Sequence, residues 1–65
     1  MSKQYKEFTA KYGNHEIILT QEENDDWYII VTAPSGEHDY DGWWTNSKEA
    51  TIGQALDEAI KGAIL

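Results

Sequence analysis

The chain contains no cysteine and no arginine, a single proline, and no long hydrophobic run. Without cysteine, neither a disulfide nor a thiolate metal site can support the fold. No apolar run approaches the roughly 20 residues that a membrane-spanning helix requires. The N-terminal stretch MSKQYKEF also lacks the hydrophobic segment of a signal peptide. These absences predict a soluble, cytoplasmic protein.

Basic residues are scarce as well. Twelve acids face five lysines, and the net charge is −7. Nucleic acids and anionic membranes are both bound through Lys and Arg, so we expect neither as a direct partner. The acids cluster at residues 22–26 and 37–41. Two interpretations stay open: these charges keep the protein soluble, or they complement the surface of a basic protein.

The chain is long enough for one domain, spanning residues 1–65. A domain of this size buries only about 60% of the surface of its unfolded chain, so its margin of stability is thin. Three tryptophans, four tyrosines and one phenylalanine provide core material, because each aromatic side chain can bury roughly 150–250 Å².

Hydrophobic periodicity predicts strands at residues 4–12, 15–21 and 27–32, with residues 37–44 as a fourth strand or an extended arm. Gly13-Asn14 and Pro34-Ser35-Gly36 have the composition of turns. Because the connections are short, consecutive strands should pair in an antiparallel meander.

The C-terminal segment changes to a helical period. Thr51 followed by Gln54 is the pattern of a capping box, which predicts a helix starting at Ile52. The apolar positions that follow one face of this helix are Ile52, Ala55, Leu56, Ala59, Ile60, Ala63 and Ile64. The predicted fold is therefore α+β: an antiparallel sheet of three or four strands, followed by one C-terminal amphipathic helix packed on one face.

Both faces of the predicted sheet carry apolar side chains, yet one helix covers only one face. Trp27, Ile29 and Val31 lie on one side of their strand, and Tyr28 and Ile30 lie on the other. An uncovered apolar face indicates an interface with another chain. The alternative is a strongly twisted sheet whose second face is covered by loops and by N-terminal residues.

The stretch HDYDGWW, residues 38–44, places two tryptophans side by side. In a regular strand their side chains point to opposite faces. We expect Trp43 in the core, where replacement by alanine would destabilise the fold, and Trp44 at the interface with Tyr40. A β-bulge at Gly42 would reverse this assignment or turn both indoles inward.

Side chains for catalysis are few. His15 and His38 are the only histidines, and neither belongs to a recognisable Ser-His-Asp or Cys-His set. General acid–base catalysis also needs a sheltered pocket, which a domain this small rarely encloses. We expect no catalytic residue and no cofactor.

One stretch partly resembles a calcium-binding loop. Such a loop needs oxygen ligands at positions 1, 3 and 5, a glycine at position 6 and a carboxylate at position 12. Position 12 is Lys48, which cannot bind the ion, and we expect no metal site. The matching positions are filled by Glu37, Asp39, Asp41 and Gly42.

From the second strand onward, the order of features resembles the HicB-like antitoxin domain. The matching stretches are HEIILTQEENDDWYIIVTAP and ATIGQALDEAIKGAI. The first is an apolar strand, an acidic turn and an aromatic-x-apolar-x-apolar strand; the second follows the helix pattern T-x-x-x-A-L-x-x-A. The resemblance implies a sheet packed on one helix, dimerisation, and inhibition of a small basic ribonuclease toxin.

These observations predict a small acidic, non-enzymatic protein-interaction module. It would inhibit or modulate a basic, nucleic-acid-processing protein such as a toxin or a defence enzyme. The alternative is a self-associating homodimeric domain with a purely structural role. The expected partner-binding residues comprise apolar contacts and charges that accelerate association: Trp44, Tyr40, Tyr28, Ile30, Asp25, Asp26, Asp39 and Asp41.

Overall fold

The structure, a computed structural model, describes residues 6–65. Its elements are β1 (Lys6–Tyr12), β2 (His15–Gln21), β3 (Trp27–Thr32), β4 (His38–Trp44) and α1 (Ile52–Gly62). The strands form one antiparallel sheet in the order β1-β2-β3-β4. The α+β prediction is confirmed, with four strands. Residues 1–5, including the predicted start of the first strand and part of the stretch compared with signal peptides, lie outside the described residues.

The first hairpin fixes the register of the sheet. Gly13 adopts a φ of 61°, which a side chain would disfavour and which a tight hairpin turn requires. Tyr12 therefore lies opposite His15, and pairing continues without a break to Lys6 opposite Gln21. Because directly opposed residues share a face in an antiparallel sheet, this register decides which side chains meet the helix.

The core lies between α1 and the two central strands. Strand β3 alternates regularly, with Trp27, Ile29 and Val31 buried and the residues between them half-buried, as the sequence predicts. Ile17 and Leu19 of β2 share this face. The helix contributes two buried alanines, whose small side chains let its axis lie close to the sheet. We call this side of the sheet the helix face.

Both ends of α1 are capped. The Thr51 hydroxyl accepts a hydrogen bond from the Gln54 amide at 3.2 Å, and the Gln54 side chain accepts one from the Thr51 amide at 2.9 Å. The predicted capping box and helix start are thus confirmed. At the other end the Leu65 amide donates to the Ile60 carbonyl at 3.0 Å, which closes the last turn. Among residues 6–65, no helix is long and apolar enough to cross a membrane.

The connection between β4 and α1 is held by one buried hydroxyl. Ser47 is 2% exposed, and its Oγ accepts a hydrogen bond from the Trp27 amide at 2.9 Å and donates to the Trp44 carbonyl. The Ser47 amide donates to Asp26 Oδ1 at 3.2 Å. The connection is therefore fixed to the first residue of β3 and to the last residue of the loop before it, which directs the chain back over the helix face.

Tyr40 lies against the C-terminal end of α1. Its Cδ2 atom is 2.6 Å from the position that a Cβ on Gly62 would occupy, so any side chain there would have to displace the Tyr40 ring. The Tyr40 hydroxyl donates a hydrogen bond to Glu58 Oε2 at 3.2 Å, which holds the ring in place. This close approach joins the edge strand β4 to the helix.

We expect Gly62→Ala to destabilise the protein by about 1 kcal/mol. Alanine improves helix propensity by about 1 kcal/mol, but crowding the Tyr40 ring costs about 1–3 kcal/mol. Gly53→Ala is the matched control, because its Cβ would lie 3.8 Å from Thr51 Oγ1, an ordinary contact. Urea unfolding should show a loss for Gly62→Ala and a small gain for Gly53→Ala. Equal gains for the two variants would contradict the packing described here.

Candidate functional site

The face of the sheet opposite the helix, which we call the open face, has an apolar centre. Ile18 on β2 lies directly opposite Ile30 on β3, and Tyr28 on β3 lies directly opposite Trp43 on β4. The first three side chains are half-buried, whereas Trp43 is 50% exposed. In the described part of the chain, the single helix packs on the other face. These four side chains therefore form an apolar patch in contact with solvent.

The two neighbouring tryptophans point to opposite faces, but the predicted assignment is wrong. Trp44 lies opposite the buried Trp27 and packs against the core, whereas Trp43 is exposed beside Tyr28. The alternative that would have reversed the assignment, a bulge at Gly42, is not what the structure shows. The irregularity falls between Val31 and Thr32, where β4 has one extra residue, so the alternation from residue 40 to 44 stays regular.

Tyr40, like Trp44, belongs to the helix face. Burial, the negative charge of Glu58 and the hydrogen bond to Glu58 raise the pKa of Tyr40. The remaining surface of Trp44 lines a groove of about 410 Å³ beside α1. Of the four predicted apolar contacts, only Tyr28 and Ile30 lie on the open face. Trp43 replaces the other two.

The sequence did contain the signal for Trp43. Alternation along β4 puts Trp43 on the same face as Asp41, and a carboxylate is costly to place in a core without compensation. The acid thus marks the solvent-facing side of this strand. Asp41 is exposed in the structure, as this argument requires.

Asp41 connects the side chains of the open face. The Tyr28 hydroxyl donates a hydrogen bond to Asp41 Oδ1 at 2.5 Å, and His38 Nδ1 lies 3.0 Å from Asp41 Oδ2. The Tyr28 and Trp43 rings meet edge to face, with centroids 5.2 Å apart and an interplanar angle of 88°. The hydrogen bond to Asp41 in turn fixes the Tyr28 ring, so the pair of aromatic rings is held at its polar end.

This network shifts two pKa values in opposite directions. The hydrogen bond from Tyr28, and next the one from His38, lowers the pKa of Asp41. The same bond to Asp41, together with desolvation and the negative charge of that carboxylate, raises the pKa of Tyr28. Both shifts favour an ionised Asp41 beside a neutral tyrosine at neutral pH.

A pH dependence follows from these shifts. The contribution of Asp41 to stability is present above its ordinary pKa and is lost as the pH falls through its lowered value. The contribution of Tyr28 is present below its ordinary pKa and is lost as the pH rises through its raised value.

The variant Tyr28→Phe removes the hydrogen bond to Asp41. The thermal midpoint of this variant should therefore differ most from that of wild type at neutral pH, and the two midpoints should converge at low and at high pH. The exposed Tyr12 provides the control variant, Tyr12→Phe. A constant difference between Tyr28→Phe and wild type at every pH would contradict the assignment.

The four predicted charges have different local surroundings. Asp26 accepts hydrogen bonds from the Ser47 amide and, at 3.3 Å, from the Asn24 side chain, so its carboxylate fixes a loop. Asp39, the extra residue of β4, lies 3.2 Å from His15 Nε2. Asp25 adopts a φ of 71° in the turn before β3. The Asp41 carboxylate accepts a hydrogen bond from Tyr28 of the aromatic pair.

The arrangement does not resemble a metal centre. Among residues 6–65, no group of three or more His, Asp or Glu side chains is placed to hold a metal ion. Asp39 and Asp41, which match positions of a calcium loop in the sequence, contact different histidines, His15 and His38. What the open face offers chemically is a pair of aromatic rings, a carboxylate and two isoleucines.

Comparison with protein-family models, curated proteins and solved structures gave no match for this chain. The geometry of the open face is therefore the basis for assigning a function.

Proposed function

We propose that the open face is a protein-binding surface and that this chain is a small, acidic, non-enzymatic interaction module. One observation carries the proposal: Trp43 is half exposed and is held by Tyr28 on a sheet face that the helix leaves uncovered. Tryptophan and tyrosine are enriched among the residues that dominate binding energy at protein interfaces. A partner that covers this pair removes aromatic surface from water that folding of the chain leaves exposed, and this burial favours binding.

The aromatic pair is also organised before binding. Tyr28 is fixed by its hydrogen bond to Asp41 and by its contact with Trp43. Immobilising a side chain at an interface costs about 0.5–1.5 kcal/mol, and a ring that is already held avoids part of that cost. The patch around Trp43 is thus suited to bind a partner without rearrangement.

Charge favours a basic protein as the partner. The net charge of −7 accelerates association with a positively charged surface and repels acidic proteins. Proteins that process nucleic acids carry such surfaces because they must bind phosphates. The proposed role is inhibition or modulation of such a protein, for example a toxin or a defence enzyme in the cytoplasm. The resemblance to HicB-like antitoxin domains supports the same kind of partner.

The test is affinity capture on the immobilised protein at increasing salt concentration. Wild type should retain a basic protein that is released as salt rises, and Trp43→Ala should not retain it. Tyr12→Ala is the matched control, because Tyr12 is an equally exposed aromatic residue, 48% exposed, on the helix-face side of β1. That variant should capture the partner like wild type. Capture that is unaffected by Trp43→Ala, or that is confined to acidic proteins, would contradict the proposal.

Self-association is the second candidate function. The apolar cross-strand pair Ile18–Ile30 on the two central strands of the open face suits packing of two sheets face to face. A second copy, however, brings the same net charge of −7 to the interface, which disfavours the contact. Sedimentation at high micromolar concentration distinguishes self-association from binding to a basic protein alone. A monomeric wild type excludes self-association. A dimeric wild type whose Trp43→Ala variant is monomeric would place the dimer contact on the open face.

A further inference from the structure

We propose that Tyr28, Trp43 and Asp41 together form a receptor for a guanidinium group, so that the basic partner inserts an arginine side chain at this point of the open face. We call this place the aromatic corner. The inference rests on the proposed function, because it names the chemical group through which the partner is recognised.

The rings provide two surfaces for a cation. They meet at 88°, so one face of the indole and one face of the phenol ring enclose a right-angled space. Each aromatic face carries partial negative charge, and a cation placed within about 6 Å of the ring centroids is attracted by it. Trp43 is 50% exposed, so part of its indole can be reached from solvent.

Asp41 provides the counter-charge. A carboxylate offers about four acceptor positions, two on each oxygen. Tyr28 occupies one position on Oδ1 and His38 one on Oδ2, which leaves an acceptor position on each oxygen. A guanidinium group can donate two parallel hydrogen bonds to such a pair of oxygens. The side chain of Asp41 is 43% exposed and can be reached.

The geometry favours arginine over lysine. A planar guanidinium can lie flat against the indole while its edge donates to the carboxylate, whereas an ammonium group is compact and strongly hydrated. The chain has no arginine of its own. In the described residues its lysines lie elsewhere: Lys6 and Lys11 on the opposite edge strand, Lys48 in the connection before the helix, and Lys61 on the helix. The four lysines of residues 6–65 thus lie on other elements than the three residues of the aromatic corner.

The probe that tests this inference is N-acetyl-arginine N-methylamide, with the citrulline analogue as its uncharged control of nearly identical shape. Both are titrated into isotope-labelled protein at constant ionic strength, and indole N–H signals are followed by NMR. The Trp43 signal is identified by its absence from the spectrum of Trp43→Leu. We expect this signal to shift with the arginine probe in the millimolar range and to respond little to citrulline.

Variants test the contribution of the Asp41 carboxylate to binding of the guanidinium group. Asp41→Asn should weaken the response to arginine about fivefold, the upper end of what an exposed ion pair contributes. Tyr12→Ala should leave the response unchanged. The inference is overturned if citrulline shifts the Trp43 signal as much as arginine does, if N-acetyl-lysine N-methylamide binds equally well, or if Asp41→Asn has no effect.

Failure of this inference is distinguishable from failure of the proposed function. If the arginine probe does not bind while Trp43→Ala still abolishes capture of a basic protein, the open face remains the interface and only the guanidinium receptor is rejected. If capture is also insensitive to Trp43→Ala, both are rejected.

Discussion

Trp27→Ala should leave the chain largely unfolded at room temperature. Trp27 is 2% exposed, its ring contacts Phe8 with centroids 6.0 Å apart, and its Nε1 donates to the Ala50 carbonyl at 3.3 Å. Removing a buried tryptophan costs about 3–5 kcal/mol. A domain of 65 residues has a total stability of about 3–10 kcal/mol. The loss is therefore comparable with the whole stability of the fold.

Far-ultraviolet circular dichroism and urea unfolding measure this effect. If the alanine variant is too unstable for a fit, Trp27→Phe keeps an aromatic ring and loses only the indole hydrogen bond and part of the buried area. It should remain folded with a lowered urea midpoint. A Trp27→Ala variant as stable as wild type would show that the core does not depend on the contact between β3 and the connection before α1.

Trp43→Ala should behave in the opposite way, because its indole is on the open face. The contact with Tyr28 is the main interaction lost, and an aromatic pair of this kind contributes about 0.5–1.5 kcal/mol. The free energy of binding to the partner should weaken by more than about 2 kcal/mol, a factor of about 30 in affinity, as expected for a tryptophan that dominates the binding energy of an interface.

Two measurements on the same variant establish this separation. Urea unfolding gives the change in the free energy of unfolding, and titration against the captured partner gives the change in affinity. Trp44→Ala provides the comparison, since Trp44 packs against the core and should cost stability. Loss of stability in Trp43→Ala as large as in Trp27→Ala would contradict the placement of Trp43 outside the core.

The elements of the fold could be predicted because their signals are local. The alternation of buried and half-buried residues from Trp27 to Thr32, and the capping box of Thr51 and Gln54, each depend on neighbours within a few residues. A meander with short connections leaves few alternatives for the strand order. The α+β fold with one covered face follows from these features together.

The open face was harder to predict because it depends on register between strands. Tyr28 and Ile30 were placed correctly relative to the core. Alternation with Asp41 favours Trp43 as their neighbour, but a bulge at Gly42 would have reversed the faces, and the pairing of β3 with β4 decides between the two. The contacts of the acidic side chains could not be predicted for a similar reason. Sequence does not reveal that Asp26 bonds to the Ser47 amide or that Asp39 lies beside His15, since those partners are far along the chain.

We propose a division of roles between the two faces of the sheet: one stabilises the fold and the other binds a partner. Cross-saturation NMR tests it most directly, by detecting which isoleucine methyl groups receive magnetisation from the bound basic protein. Ile18 and Ile30 report on the open face, whereas Ile52 and Ile64, 44% and 90% exposed, report on the ends of the helix. Transfer to Ile18 and Ile30 is the predicted result. Transfer to Ile52 and Ile64 alone would contradict the claim.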